Sequence, residues 1–139
     1  MAGGAVPTAL VDVHTHVVPA SFPRYVGRHA HAPWPVMADA QPCHRHVVVR
    51  GSVYRTVSHQ CWDAAQRLAD MQRMGVSRQV LSPMPELLSY WMSPDDGTAM
   101  CRYLNETIAA MVAVAPQAFV GLGAVPLQDI DAAIAELDV

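Results

Sequence analysis

A chain of 139 residues with 52% apolar side chains is the right size for one domain and too hydrophobic to be disordered. A net charge of −3, with the nine Lys and Arg scattered rather than clustered, excludes nucleic acid as an expected partner. No apolar run approaches the roughly 20 residues that span a bilayer, and the opening MAGGAVPTAL lacks the basic start of a secretory leader, so a soluble chain with no membrane partner is expected.

The first predicted element is a short buried strand over TALVDV, apolar but for Asp12 and bounded by Pro7 and Pro19. It leads into His14 and His16, placed where the strand becomes a loop. In extended backbone, residues i and i+2 share a face and lie roughly 6.5 to 7 Å apart. Two imidazoles so spaced can converge on one ion. Two solvated or hydrogen-bonded rings are the alternative, but the carboxyl ends of strands in α/β folds are where ligands and catalytic groups collect.

Residues 17 to 61 are rich in His and Pro and lack helical period, and read as an inserted loop region. Within it, HRHVVVRGSVYRTV has two β-branched runs that predict a small hairpin around Gly51. From Trp62, WDAAQRLADMQRMGV predicts an amphipathic helix with Ala65, Leu68, Met71 and Met74 on one face, Asp63 near its start and Gly75 as its stop. SRQVLSP is a short strand ending at Ser82 and Pro83. A second helix is expected from Asp95 or Asp96 to Pro116, because Met100, Leu104, Ile108, Met111 and Val112 recur at helical spacing. AFVGLGAVP reads as a strand, and QDIDAAIAELDV as a third helix capped by Asp129. The eight methionines suit core filling. Cys43, Cys61 and Cys101, odd in number, widely spaced and without a Cys-x-x-Cys unit, point to a reduced, cytoplasmic compartment.

Strands and helices that alternate imply parallel strands with right-handed crossovers. Three such units open either a doubly wound sheet or a (β/α)8 barrel, though a complete barrel typically needs about 250 residues. No Gly-x-Gly-x-x-Gly follows the first strand, which argues against a dinucleotide site there.

DVHTHVVP, HAPW, VYRTVSHQCWD, RLADMQRMGVSRQVLSPMP, Asn105 and APQAFVGLGAVPLQD follow one another in a recognisable order and spacing. From about residue 10 to residue 137 the sequence resembles the amidohydrolase-related metal-dependent decarboxylases, in the branch of the 2-amino-3-carboxymuconate 6-semialdehyde decarboxylases. His-x-His alone would also suit polymerase-and-histidinol-phosphatase-like or TatD-like hydrolases; the WDAAQRLADMQRMGV and VPLQD segments favour the decarboxylases.

The resemblance implies an α/β fold in which residues 1 to 139 are the N-terminal three βα units of a single (β/α)8 TIM-barrel domain, with the insert after its first strand. It implies that His14 and His16 are the first two ligands of Zn2+ or another divalent metal. It also implies that Arg55, counted back from CWD, holds the carboxylate of a small-molecule substrate, as a guanidinium does through two parallel hydrogen bonds. The reaction implied is decarboxylation, a carbon–carbon lyase step, of an aromatic-catabolism carboxylate such as 2-amino-3-carboxymuconate 6-semialdehyde. In the family a third histidine ligand, an acid/base histidine and a ligand aspartate come from later strands, so the 139-residue chain alone is expected to be inactive. An improvised site drawing on His29, His31, His44, His46 and His59 is an alternative, although His31 and Trp34 match HAPW and would instead shape the pocket mouth. A metal-dependent hydrolase of the same superfamily and a truncated noncatalytic paralogue that serves as an assembly partner are the competing functions. Open strand edges add the expectation of a homo-oligomer, a dimer.

Overall fold

The computed structural model describes residues 9–138; Pro7 and Thr8, at the start of the first predicted strand, lie outside them. β1 (Leu10–Val17) is longer than predicted and carries both histidines inside the strand, stopping one residue after His16. Where a loop with one hairpin is expected, the chain builds an antiparallel sheet from β2 (Val36–Asp39), β3 (His44–Val49) and β4 (Ser52–Ser58), in the order β2-β3-β4. The predicted hairpin is its β3–β4 half. Arg50 and Gly51 both take positive φ, 52° and 75°, as a tight two-residue hairpin turn requires. β2 escapes a reading by period because VMAD is short and does not alternate; its pairing with β3, Val36 opposite Val48 and Met37 opposite Val47, makes it a strand.

α1 (Ala64–Met74) has the predicted ends. Asp63 accepts hydrogen bonds from the Ala65 and Gln66 backbone N–H groups, and Gly75 closes the helix at φ 71°. Its buried stripe differs from expectation: Ala65 and Met74 face solvent, while Arg67 and Met71 are buried and Ala64 and Leu68 flank them. β5 (Val76–Pro83) follows, parallel to β1. α2 (Pro94–Val114) starts ahead of the predicted Asp95, with Ser93 as its cap and Pro94 in the first turn, where a missing N–H leaves no helical bond unmade.

β6 (Phe119–Gly121) pairs parallel with β5 and is much shorter than AFVGLGAVP. Past Gly121 the Leu122 N–H still donates to the Leu81 carbonyl at 2.8 Å, and two residues on a side chain pairs the backbone: Asn105 Nδ2 donates to the Ala124 carbonyl at 2.8 Å, and Asn105 Oδ1 accepts from the Ala124 N–H at 2.7 Å. α3 (Ile130–Leu137) begins at its predicted cap, Asp129, which accepts from the Ala132 N–H.

The parallel sheet runs β1-β5-β6, and α1 and α2 cover one face of it. Val17, Leu81 and Phe119 from the strands meet Met71, Ile108 and Met111 from the helices there. A second core joins the antiparallel sheet to the βα units, with Val47 and Val57 against Met84, Leu87, Met92, Met100 and Leu104. The insert therefore shares its core with the units around it. In β6 and just past it the apolar residues are not all covered: Val120 and Leu122 are 44% and 50% exposed.

Candidate metal centre

The geometry of the histidine pair begins with a break in strand pairing. Asp12 lies opposite Gln79, and the next matched pair is Thr15 opposite Leu81, so β1 carries one residue more than β5 over this interval. That is a β-bulge, a device that re-aims side chains. Regular alternation would put Asp12, His14 and His16 on one face. The extra residue separates them. Asp12 meets Gln79, whose Nε2 donates to Asp12 Oδ2 at 3.4 Å, while Asp12 Oδ1 accepts the His14 N–H at 3.1 Å. His14 and His16 stay together, their ring centroids 4.9 Å apart and their planes at 77°.

Neighbouring elements hold His16 from two directions. Ser82 on β5 is its register partner; the Ser82 hydroxyl donates to the Thr15 carbonyl at 2.9 Å and lies 3.2 Å from His16 Nδ1. From α1, the buried Arg67 donates to the His16 carbonyl at 2.8 Å, to the Gln60 carbonyl at 3.0 Å and to Gln79 Oε1 at 3.2 Å. Burial presses the Arg67 pKa below its ordinary value, with Cys61 and Asp12 opposing the shift. The guanidinium remains charged across the physiological range.

Two imidazole nitrogens are suitable donors for zinc and for other borderline divalent ions. They supply half of a tetrahedral shell. Among the described residues, no group of three or more His, Cys, Asp and Glu is placed to hold an ion, so the pair fits as part of a site rather than as a whole one. The improvised histidine site is accordingly not assembled among these residues. His44 Nδ1 is 3.0 Å from the Pro42 carbonyl, and His46 Nδ1 is 2.8 Å from Thr56 Oγ1. His29 and His31 are exposed between β1 and β2, and His59 opens a short 3-10 turn before α1. Trp34 donates to the Pro23 carbonyl at 2.9 Å and packs against the second core, with its ring 5.5 Å from Tyr25.

Arg55 projects from β4 to Glu86: its Nη2 is 3.4 Å from Glu86 Oε1, the same oxygen that accepts the Tyr54 hydroxyl at 2.9 Å. Glu86 sits in a 3-10 turn, Pro85–Leu88, just after β5. A hydrogen bond from its own backbone N–H holds its carboxyl below the usual carboxylate range; burial opposes this, and Tyr54, Arg55 and the His16 imidazole add to the lowering. Beside this pair a cavity of about 520 Å³ opens between β3 and the segment after β5, with Val47, Val49, Met84, Leu87 and Trp91 as apolar lining and Glu86 among its polar groups.

Arg67, Ser82 and Glu86 are the neighbours that sequence reasoning missed. Arg67 carried a signal, a charge in the apolar stripe of α1. Ser82 carried a weaker one, a hydroxyl at the carboxyl end of a buried strand. Nothing in PELL marks Glu86.

Residues 11–139 match a family model described as amidohydrolase. Among curated proteins the chain is similar to the 2-amino-3-carboxymuconate-6-semialdehyde decarboxylase of Dictyostelium discoideum, at 32% identity over 127 residues, 91% of this chain and 35% of that protein. It is similar to the protein of the same name from Caenorhabditis elegans, at 32% identity over 124 residues, 89% of this chain and 31% of that protein. The chain thus spans about a third of the length of those relatives. A solved structure, Metarhizium anisopliae IDCase in apo form, aligns with 95% of this chain and 39% of its own, with a TM-score of 0.67 at 14% identity, a likeness of fold. The parallel βα units are those of a partial TIM barrel, and the match over residues 11–139 places the chain in the amidohydrolase family.

Proposed function

We propose that this chain is the N-terminal part of a single-domain metal-dependent decarboxylase acting on a small carboxylate, with 2-amino-3-carboxymuconate 6-semialdehyde as the model substrate. The observation that carries the reading is the convergence of the His14 and His16 rings, 4.9 Å apart near the carboxyl end of β1, in a chain similar to two proteins named decarboxylases. In this reading His14 and His16 contribute two nitrogen donors to zinc or another divalent ion. Such an ion, when bound, supplies Lewis acidity to the reaction. The family description alone would accommodate a hydrolase; the two relatives favour the lyase.

Arg55 is the proposed handle for the substrate carboxylate. Its contact with Glu86 is a single nitrogen at 3.4 Å on a side chain 55% exposed. Exposed pairs of this kind contribute about 0–1 kcal/mol. A bidentate carboxylate makes shorter, charge-assisted bonds and would compete well for the remaining guanidinium donors. In the longer protein, Arg55→Ala is expected to raise KM for the carboxylate substrate at least tenfold; unchanged kinetics would remove the assignment. The 139-residue chain itself is expected to bind zinc weakly and to show no decarboxylation, since two imidazoles leave half the shell to solvent. Turnover by the purified, zinc-loaded chain would contradict this.

A further inference from the structure

The hydrogen-bond geometry at Ser82 bears on which nitrogen of His16 is free. A serine hydroxyl has one proton, and a carbonyl oxygen can only accept. Ser82 lies 2.9 Å from the Thr15 carbonyl, so its proton goes there. Toward His16 Nδ1, at 3.2 Å, the same Oγ has only a lone pair to offer. The proton in that contact therefore belongs to Nδ1, and the in-plane lone pair of the neutral ring is left on Nε2.

We propose that Ser82 is a positioning residue that holds His16 in the Nδ1–H tautomer and so presents Nε2 to a divalent cation. The proposal rests on the metal reading of the histidine pair and adds the atom that would ligate and the residue that selects it. The backbone contributes as well: Arg67 fixes the His16 carbonyl at 2.8 Å, and Ser82 is held opposite His16 by the β1–β5 register. Main chain and ring of His16 are thus tied to two different elements, α1 and β5. Such outer contacts orient a ligating imidazole, and their loss typically lowers metal affinity by about 10- to 100-fold.

The test is long-range 1H–15N correlation spectroscopy on the metal-free 15N-labelled chain, near pH 8.5, about two units above the ordinary imidazole pKa. The expected spectrum assigns His16 a protonated, pyrrole-type Nδ1 and an unprotonated, pyridine-type Nε2. Ser82→Ala should shift His16 toward the Nε2–H tautomer that histidine side chains favour in water, and Ser82→Thr, which keeps the hydroxyl, should restore the original pattern. An Nε2–H tautomer in the unaltered chain, or the same Nδ1–H pattern in the folded Ser82→Ala variant, overturns the proposal. If the alanine variant does not fold, the spectrum of the unaltered chain decides alone. Zinc added to the unaltered chain in millimolar excess, enough to load a weak two-donor site, is expected to shift His16 Nε2 selectively. Perturbation at Nδ1 instead overturns the choice of ligating atom. Zinc that perturbs neither ring overturns the underlying metal reading, which the metal-free spectrum distinguishes from failure of the Ser82 assignment.

Discussion

Replacing Arg67 by Met keeps most of the side-chain volume and removes the one buried guanidinium beneath the histidine pair. Two effects oppose each other. Losing a desolvated charge is favourable, because burial already disfavours the charged form. Against this stand three acceptors that lose a donor: the His16 and Gln60 carbonyls and Gln79 Oε1, at 2.8, 3.0 and 3.2 Å. Each buried acceptor left unpaired costs about 1–3 kcal/mol. Gln79 keeps a contact to Asp12 through its Nε2, but that bond does nothing for its orphaned oxygen. Replacing an ion pair at both ends is often harmless, but here the acceptors stay behind, so destabilisation wins. The expected net loss is about 2–4 kcal/mol, a large share of a typical domain stability of about 5–15 kcal/mol. Urea unfolding followed by circular dichroism, with Arg67→Lys alongside, measures it. The lysine variant keeps the charge but not the three-way fork and should fall between the other two. A methionine variant within about 0.5 kcal/mol of the unaltered chain would refute the reasoning, since that is the scale of ordinary surface substitutions.

Leu104→Ala, at a side chain 1% exposed in the core shared with the insert, should cost about 2–5 kcal/mol and deprotect β3 and β4 amides in hydrogen exchange. Unchanged protection there would mean that the antiparallel sheet does not depend on this core. The stability of α3 should fall in acid. Burial raises the Glu136 carboxyl, but hydrogen bonds from Arg102 and Asn105 outweigh it, so the folded-state pKa lies below the ordinary value. A depressed carboxyl stabilises fully above its unfolded pKa, near 4.3, and loses that contribution as pH falls through the folded value. Thermal melts should therefore show a steeper acid decline for the unaltered chain than for Glu136→Gln, and parallel curves would count against it. Association is the last expectation: Val120 and Leu122, together with Ile130, Ile134 and Leu137 along α3, leave apolar surface exposed. Light scattering at tens of micromolar should show dimers or larger species, and a monodisperse, well-protected monomer would refute this.

Period and punctuation in the sequence are enough to locate the βα units. Asp63, Gly75 and Asp129 end or begin helices by local hydrogen bonding and backbone freedom, which depend on residues one to four positions away. The alternate spacing of His14 and His16 likewise survives as a shared face because both lie in one strand. What depends on distant chain was not legible. β2 exists because β3 lies beside it, Ala124 is paired by the Asn105 side chain rather than by a strand, and Asp12 leaves the face of the histidines because the β1–β5 register slips by one residue. The neighbours of the site follow the same division. The resemblance pointed to Arg55, but only packing shows that Glu86 reaches it from 31 residues away. Ser82 meets the His16 ring across 66 residues and Arg67 its carbonyl across 51. Short-range hydrogen bonds and periodicity are written in neighbouring residues; register and side-chain partners are decided only when separate segments pack.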